Sequence, residues 1–347
     1  MNFHRDNLER TLPCGKQGGA VLILALLIVA LVAGLGIKFA GDYQLGLARA
    51  EGRWNGAQAR AYSYSGEGAA VRMLSQDSTN YDALDEPWAE PIPLPVEGGI
   101  ITISMIDANS QINITNVSRR TDGKAPVLDP NASPLDWNRY TAEQRRFIRF
   151  LQLFPELIRG PDEAVAILEA MVDWVDTDQD VSGSNGAESN YYLGLADPYE
   201  AANNGLFLSV DELQMVRGVT PELMRAIRPY ITVASPSDSS NATGLNVNTI
   251  PPLLYQCINL SSELRPLDAS TAEGLAPQKG HYSEIGEFEA VASKLFAEAY
   301  DKDGLSTYTT LFWLKTQSEI GEQRRVARSL LERGKPFFKV IRREEIY

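Results

Sequence analysis

The sequence predicts an α+β chain: a long N-terminal helix, then a sheet, with a large helical excursion inserted into the sheet region. Three observations carry this. No proline lies between Pro13 and Pro87, so nothing sterically stops a helix across that interval. The run GIITISMID over 99–107 is rich in β-branched residues and reads as a strand. A short alternation of aliphatic residues with Asn appears over Asn109–Asn116, as Asn109-Ser-Gln-Ile112-Asn113-Ile114-Thr-Asn116, and is echoed in part over Gly244–Pro251, as Gly244-Leu245-Asn246-Val247-Asn248-Thr-Ile-Pro251. Asn caps helix starts and bonds its local backbone, so two such corners more than 100 residues apart mark where the chain leaves extended structure and returns to it.

Composition bounds the function. The 347 residues carry 45 acidic and 32 basic side chains, a net charge of −13. That length suggests about two domains. The acid excess argues against a nucleic-acid binder, which needs a basic face. Two His and two Cys leave almost no material for a Cys/His zinc site or for histidine-based catalysis. A Gly-x-Ser-x-Gly nucleophile motif is also missing. The chain therefore reads as a non-enzyme, although acidic clusters suit hard cations.

The first element is the long helix. Gln17 to Ile37 are 21 consecutive uncharged residues, enough to span a bilayer. Arg5, Arg10 and Lys16 precede them, so the short N-terminus stays cytoplasmic and the rest is exported. The segment is compatible with a secretory signal peptide, a plain anchor, or a prepilin-type leader cut just before the apolar run. Lys16-Gln17-Gly18-Gly19 abuts that run directly, with Gly19 followed by Ala20, which favours the third reading. From Ala20 to about Leu74 the helix would be about 80 Å long. Its second half is amphipathic and requires a partner surface.

A proline-punctuated connection over 85–95 leads to the strand at 99–107. The excursion beyond it is helical. Thr141 is a cap for the amphipathic segment 142–154, and Pro161-Asp162-Glu163 starts a helix with Pro and acids in its first turn. Ser209 and Glu212 have capping-box spacing, and Thr220-Pro221-Glu222 opens a further helix. This helix, Gly-turn, helix arrangement resembles a helix-hairpin-helix or a sterile-alpha-motif-like (SAM-like) unit. Arg217, Arg225 and Arg228 are too few for phosphate binding in so acidic a chain, so packing against protein is the expected use. Near the C-terminus 311–314 and 335–341 read as strands, and 322–333 as a helix or a strand pair.

The chemically dense stretch is Asp173-Trp-Val-Asp176-Thr-Asp178-Gln-Asp180-Val-Ser182, followed by Glu188. Carboxylates at alternate positions of a loop can converge on one centre and supply hard oxygens to Ca²⁺. Counted from Asp176, the sixth position is Val181 rather than Gly and the closing Glu is thirteenth, so this is not a standard EF-hand. Asp173, Asp176, Asp178, Asp180, Ser182 and Glu188 are the candidate ligands for one or two calcium ions, with Asn204 completing the set. Asp301-Lys302-Asp303-Gly304 reads as a polar turn.

The basic leader ending in glycine, the uncharged helix start, DWVDTDQD with GAESNYY, SVDELQMVRGVT and LNVNTI occur in this order. Together they resemble the minor pseudopilin K family of type II secretion systems. The resemblance implies a pilin-like domain with a small antiparallel sheet, interrupted by the helical insert, and calcium in that insert. It implies cleavage by prepilin peptidase between Gly19 and Ala20, and methylation of Ala20. It also implies a place at the pseudopilus tip with minor pseudopilins I and J, near the major pseudopilin and the inner-membrane platform, with the soluble part periplasmic. The pilin glutamate of the fifth mature position is replaced by Leu24, with Phe39 and Tyr43 further along the filament-packing helix. A subunit without that carboxylate avoids burying a charge in the bilayer but cannot neutralise the terminal amine of a subunit above it.

The expected organisation is a leader over 1–19, a helix over 20–78, a pilin-like αβ domain from 79–116 and 246–347, and an insert over 117–245. A membrane-anchored, calcium-dependent periplasmic binding or adhesion protein is the alternative. It shares the acidic loop but keeps residues 1–19.

Overall fold

The computed structural model describes residues 18–118, 133, 135–236, 244–278, 280–296, 298–334 and 338–346. Most of the expected leader lies outside the described residues. Helix α1 runs unbroken from Gly18 to Gln76, 59 residues, as the proline-free interval predicts. The chain forms two compact units, 1–58 and 59–347. In the first, the helix is long and apolar enough to cross a membrane, with a mean hydropathy of 3.1 over its most apolar window and none of that window buried. Leu24, Phe39 and Tyr43 all stand exposed on it.

In the second unit the end of α1 buries one stripe: Ala59, Ser63, Gly66, Glu67, Ala70 and Leu74. These positions recur at helical spacing, so one face meets the sheet. Ala70 and Leu74 pack with Ile101, Ile103, Met105, Phe312, Leu314 and Leu331. Small residues bring the backbones close. A Cβ on Gly66 would meet Thr316 at 3.0 Å, and the Ser63 and Ser318 hydroxyls lie 2.9 Å apart. Glu67, buried here, accepts from Ser329 and pairs with Arg343 at 2.9 Å.

The remaining elements are β1 (Ile92–Val96), β2 (Gly99–Asp107), β3 (Ile112–Asn113), α2 (Ile114–Val117), α3 (Ala142–Leu151), α4 (Pro161–Val175), α5 (Ser189–Leu193), α6 (Pro221–Ile227), β4 (Ile231–Thr232), β5 (Leu245–Asn246), α7 (Ala269–Glu273), α8 (Ile285–Leu295), β6 (Leu305–Ser306), β7 (Leu311–Ile320), β8 (Gln323–Glu332) and β9 (Lys339–Ile346). Five strands make one sheet in the order β1-β2-β7-β8-β9, every neighbour antiparallel. β2 pairs with β7 directly, Gly99 opposite Ile320 and Asp107 opposite Phe312, so the helical excursion is inserted between neighbouring strands. The charged segment 322–333, left open between helix and strands, is strand β8. Pro93 and Pro95 sit on edge strand β1, where a missing N–H costs no ladder bond.

The two Asn corners do meet. Asn109 donates to the Gly244 carbonyl. Asn246 Nδ2 donates to Asp107 Oδ2 at 2.9 Å, to Thr309 Oγ1 and to the Asp82 carbonyl. Thr249 Oγ1 donates to the same Asp107 oxygen at 2.5 Å. The chain thus leaves and re-enters the sheet region through a buried polar knot.

The helical core is built on Phe147, Phe150, Leu151, Leu168, Met171 and Val172. It continues beyond residue 245 through Val247, Leu254, Phe288 and Ala292. Residues 247–292 therefore share apolar burial with the excursion. The expected polar turn at 301–304 also has a structural task. Asp301 is buried and pairs with Arg145 at 2.6 Å and Arg149 at 2.7 Å. Arg149, itself fully buried, also donates to the carbonyls of Cys257, Leu260 and Glu263. Cys257 is a buried free thiol.

Candidate metal centre

Helix α4 delivers the site. Pro at its first turn, with Asp162 and Glu163 beside it, suits the positive end of the helix dipole. Its apolar face buries Val165, Leu168, Met171 and Val172, which points the end of the helix inward. Asp173 sits in the last turn and Asp176 is the C-cap, three residues on and so on nearly the same side. The loop that follows returns Glu188 to them. Ligand oxygens of Asp173, Asp176 and Glu188 all lie within 4.8 Å of one another, and the residues are 0%, 8% and 3% exposed.

Four buried carboxylate oxygens here have no hydrogen-bond partner: Asp173 Oδ2, Asp176 Oδ1, and both oxygens of Glu188. Nor does any of the three residues pair with Lys or Arg among the described residues. Burial, then the neighbouring negative charges, push Asp176 up to about 8 and Glu188 up to about 7. Asp173 is raised as well, mainly by burial. Orphaned, mutually repelling oxygens of this kind fit a hard divalent cation, whose charge would reverse the local balance.

The other candidate ligands are placed differently. Asp178 and Asp180 are exposed, but close enough for their charge to raise both Asp176 and Glu188. Ser182 bonds Asp173, its backbone N–H donating to Oδ1 at 2.9 Å. Asn204 is exposed, and its Oδ1 accepts from Leu206 N–H at 3.2 Å.

Two residues escaped the sequence reading. The neighbouring Asn203 adopts φ +46° and presents a buried Oδ1 without a partner. Its N–H donates to the Trp174 carbonyl and its Nδ2 to Ser189 Oγ, which holds it beside the end of α4 and next to Glu188. The Asn-Asn-Gly run signals a left-handed turn, but either Asn satisfies that signal. Glu169, one turn before Asp173, is fully buried and accepts from Asn185 N–H at 2.9 Å. Its i,i+4 relation to Asp173 on the α4 face was the available sign.

The Ser209–Glu212 capping box also resolves differently. Ser209 caps a 3-10 turn over Val210–Met215. Glu212 instead accepts from Leu208 N–H at 2.8 Å and from Trp174 Nε1 at 2.9 Å, tying that turn to the end of α4. At Thr141 the expected cap is a full capping box with Gln144. A second acidic group, Asp77, Asp82 and Glu86, is largely engaged by protein donors. Arg333 bonds both Asp82 oxygens, and Glu86 accepts from Ala83 N–H, Trp88 Nε1 and Thr79 Oγ1.

An apolar N-terminal helix long enough to cross a membrane, whose end packs on an antiparallel sheet with a helical insert between two paired strands, defines a pilin-like chain. Residues 110–236, most of the insert, match the family Type II secretion system (T2SS), protein K. Type II secretion system protein K of Aeromonas hydrophila is 30% identical over 335 residues, covering 93% of this chain and 95% of that one. The Pseudomonas aeruginosa protein of the same name is 28% identical over 338 residues, 92% and 90% of the two chains. The fold matches a chain in the crystal structure of the GspK–GspI–GspJ complex from the enterotoxigenic Escherichia coli type 2 secretion system. The TM-score is 0.64 at 20% identity, over 86% of this chain and 99% of that one. The chain belongs to the type II secretion system protein K family.

Proposed function

We propose that this protein is the minor pseudopilin at the tip of the pseudopilus, where it helps initiate assembly and the export of folded proteins across the outer membrane. Membership of the protein K family, joined to a membrane-length helix with Leu24 in place of the pilin glutamate, supports this reading. Without that carboxylate the subunit has no group to receive the amine of a subunit above it, so the filament ends here. The helix anchors the chain in the inner membrane and the unit from Ala59 onward is periplasmic. The role is structural rather than catalytic. The partners are minor pseudopilins I and J, by analogy with the complex that holds the E. coli relative.

Asp173, Asp176 and Glu188 would hold calcium, with Asn203 as a neutral oxygen donor and Asp178 and Asp180 lending charge. Bound there, the ion would cross-link the end of α4 to its following loop, so binding free energy becomes folding free energy. Calcium suits this irregular carboxylate set better than magnesium, which demands strict octahedral geometry.

Mass spectrometry of the chain purified from envelopes, together with its co-purification with pseudopilins I and J, tests the assignment. The expected product begins at N-methylated Ala20 and carries both partners. A chain that retains residues 1–19, or that binds neither partner, overturns it.

A further inference from the structure

We propose that Glu169 and Arg217 are positioning residues that clamp the acidic loop from two sides, and so set the distance between Glu188 and the helix-borne Asp173 and Asp176. The inference rests on the cation reading above. Glu169 lies outside the converging group of Asp173, Asp176 and Glu188: its Oε2 accepts from Asn185 N–H at 2.9 Å, and its Oε1 lies 3.5 Å from Arg139 Nη2. The Arg139 and Glu169 side chains are 2% and 0% exposed, so Arg139 neutralises a carboxylate that would otherwise compete for the cation. Gly183, at φ +63°, lies against this carboxylate, and a Cβ there would fall 1.9 Å from Oε1.

Arg217 belongs to the turn that precedes α6. Its Nη1 lies 3.4 Å from the carbonyl oxygens of both Asn185 and Gly186, and its guanidinium covers the Tyr191 ring at 4.8 Å. Asn185 is therefore gripped through its N–H by an anion and through its carbonyl by a cation. Gly186, the next residue, is pressed onto Asp173: a Cβ there would fall 2.1 Å from Oδ2, the oxygen left without a partner. Glu188 follows two residues later. Held in this way, the loop places Glu188 without help from the ion. The arginine of the ELQMVRG turn, which phosphate binding could not explain, acquires a role.

The test uses the full chain in detergent, with Ca²⁺ titrated calorimetrically and Tb³⁺ luminescence lifetimes counting the waters on the bound ion. Glu169→Gln and Arg217→Met should each raise the Ca²⁺ Kd by about tenfold or more, as outer-sphere changes do, with the water count unchanged. Asp176→Asn should lose affinity and gain water on the ion. Unchanged Kd in both clamp variants overturns the proposal, as does an added water in Glu169→Gln, which would make Glu169 a ligand. Arg217→Lys, which keeps the charge, should recover part of the affinity if the fold is intact. Should the wild-type chain bind neither Ca²⁺ nor Tb³⁺, the cation reading fails separately. The clamp is then read by hydrogen exchange of the Asn185 amide in chelator. Glu169→Gln should speed it about tenfold, and equal rates would overturn the clamp.

Discussion

Replacing Glu188 by Gln should shift thermal stability in opposite directions with and without calcium. In chelator, three carboxylates whose oxygens lie within 4.8 Å of one another share a buried site, and none of the three is ion-paired with a cationic side chain among the described residues. Two unit charges 4.8 Å apart repel by about 3.5 kcal/mol at an effective dielectric of about 20. Protonation already relieves part of this near neutral pH, because Asp176 and Glu188 are pushed to about 8 and about 7. Neutralising Glu188 permanently should therefore stabilise the chelated protein by about 1 kcal/mol, or about 2–4 °C in Tm. Calcium at 100 times its Kd should stabilise the wild type by about 2.7 kcal/mol, which corresponds to about 5–10 °C. Glu188→Gln removes the charge and replaces one of the two orphaned oxygens by an amide nitrogen that cannot ligate, and should forfeit most of that gain. Differential scanning calorimetry in EDTA and in Ca²⁺ checks the crossing: the variant melts above the wild type in chelator and below it in calcium. A variant that melts lower in EDTA and keeps the whole calcium shift would refute the reasoning.

Two more expectations follow from the same geometry and from the core. Asp176 and Glu188 have folded pKa values raised above their ordinary ones, so the stability they contribute is complete below about pH 4 and lost as pH rises through about 7 to 8. The chelated protein should therefore melt progressively lower between pH 5 and 8, while saturating calcium flattens that slope; Tm against pH in the two buffers measures both. Arg149→Met leaves Asp301 with Arg145 alone and strips donors from the Cys257, Leu260 and Glu263 carbonyls. It should cost about 3–5 kcal/mol, as breaking a buried pair does, read from the urea midpoint with the slope unchanged.

Much of the chain's local structure was legible in its residues. The unbroken helix over 18–76 follows from the proline-free, small and apolar run, and β2 over 99–107 from its β-branched residues. Helix α4 starts at the Pro161 that announced it. These features depend on neighbours a few positions away, where backbone sterics and periodicity act directly. The acidic loop was visible as composition and spacing too.

Tertiary structure alone decided which carboxylates meet. Asp173, Asp176 and Glu188 converge because α4 buries its end and the clamped loop turns back, while Asp178 and Asp180, equal to them in sequence, remain exposed. The same holds for Asn203 over Asn204, for Glu212 reaching Trp174 and Leu208 instead of closing a capping box, and for Asp301 as the buried partner of two arginines. A carboxylate's role depends on how much water it loses and which charges face it. Both are properties of the path of the chain between residues far apart in sequence, and local spacing and motifs do not reveal that path.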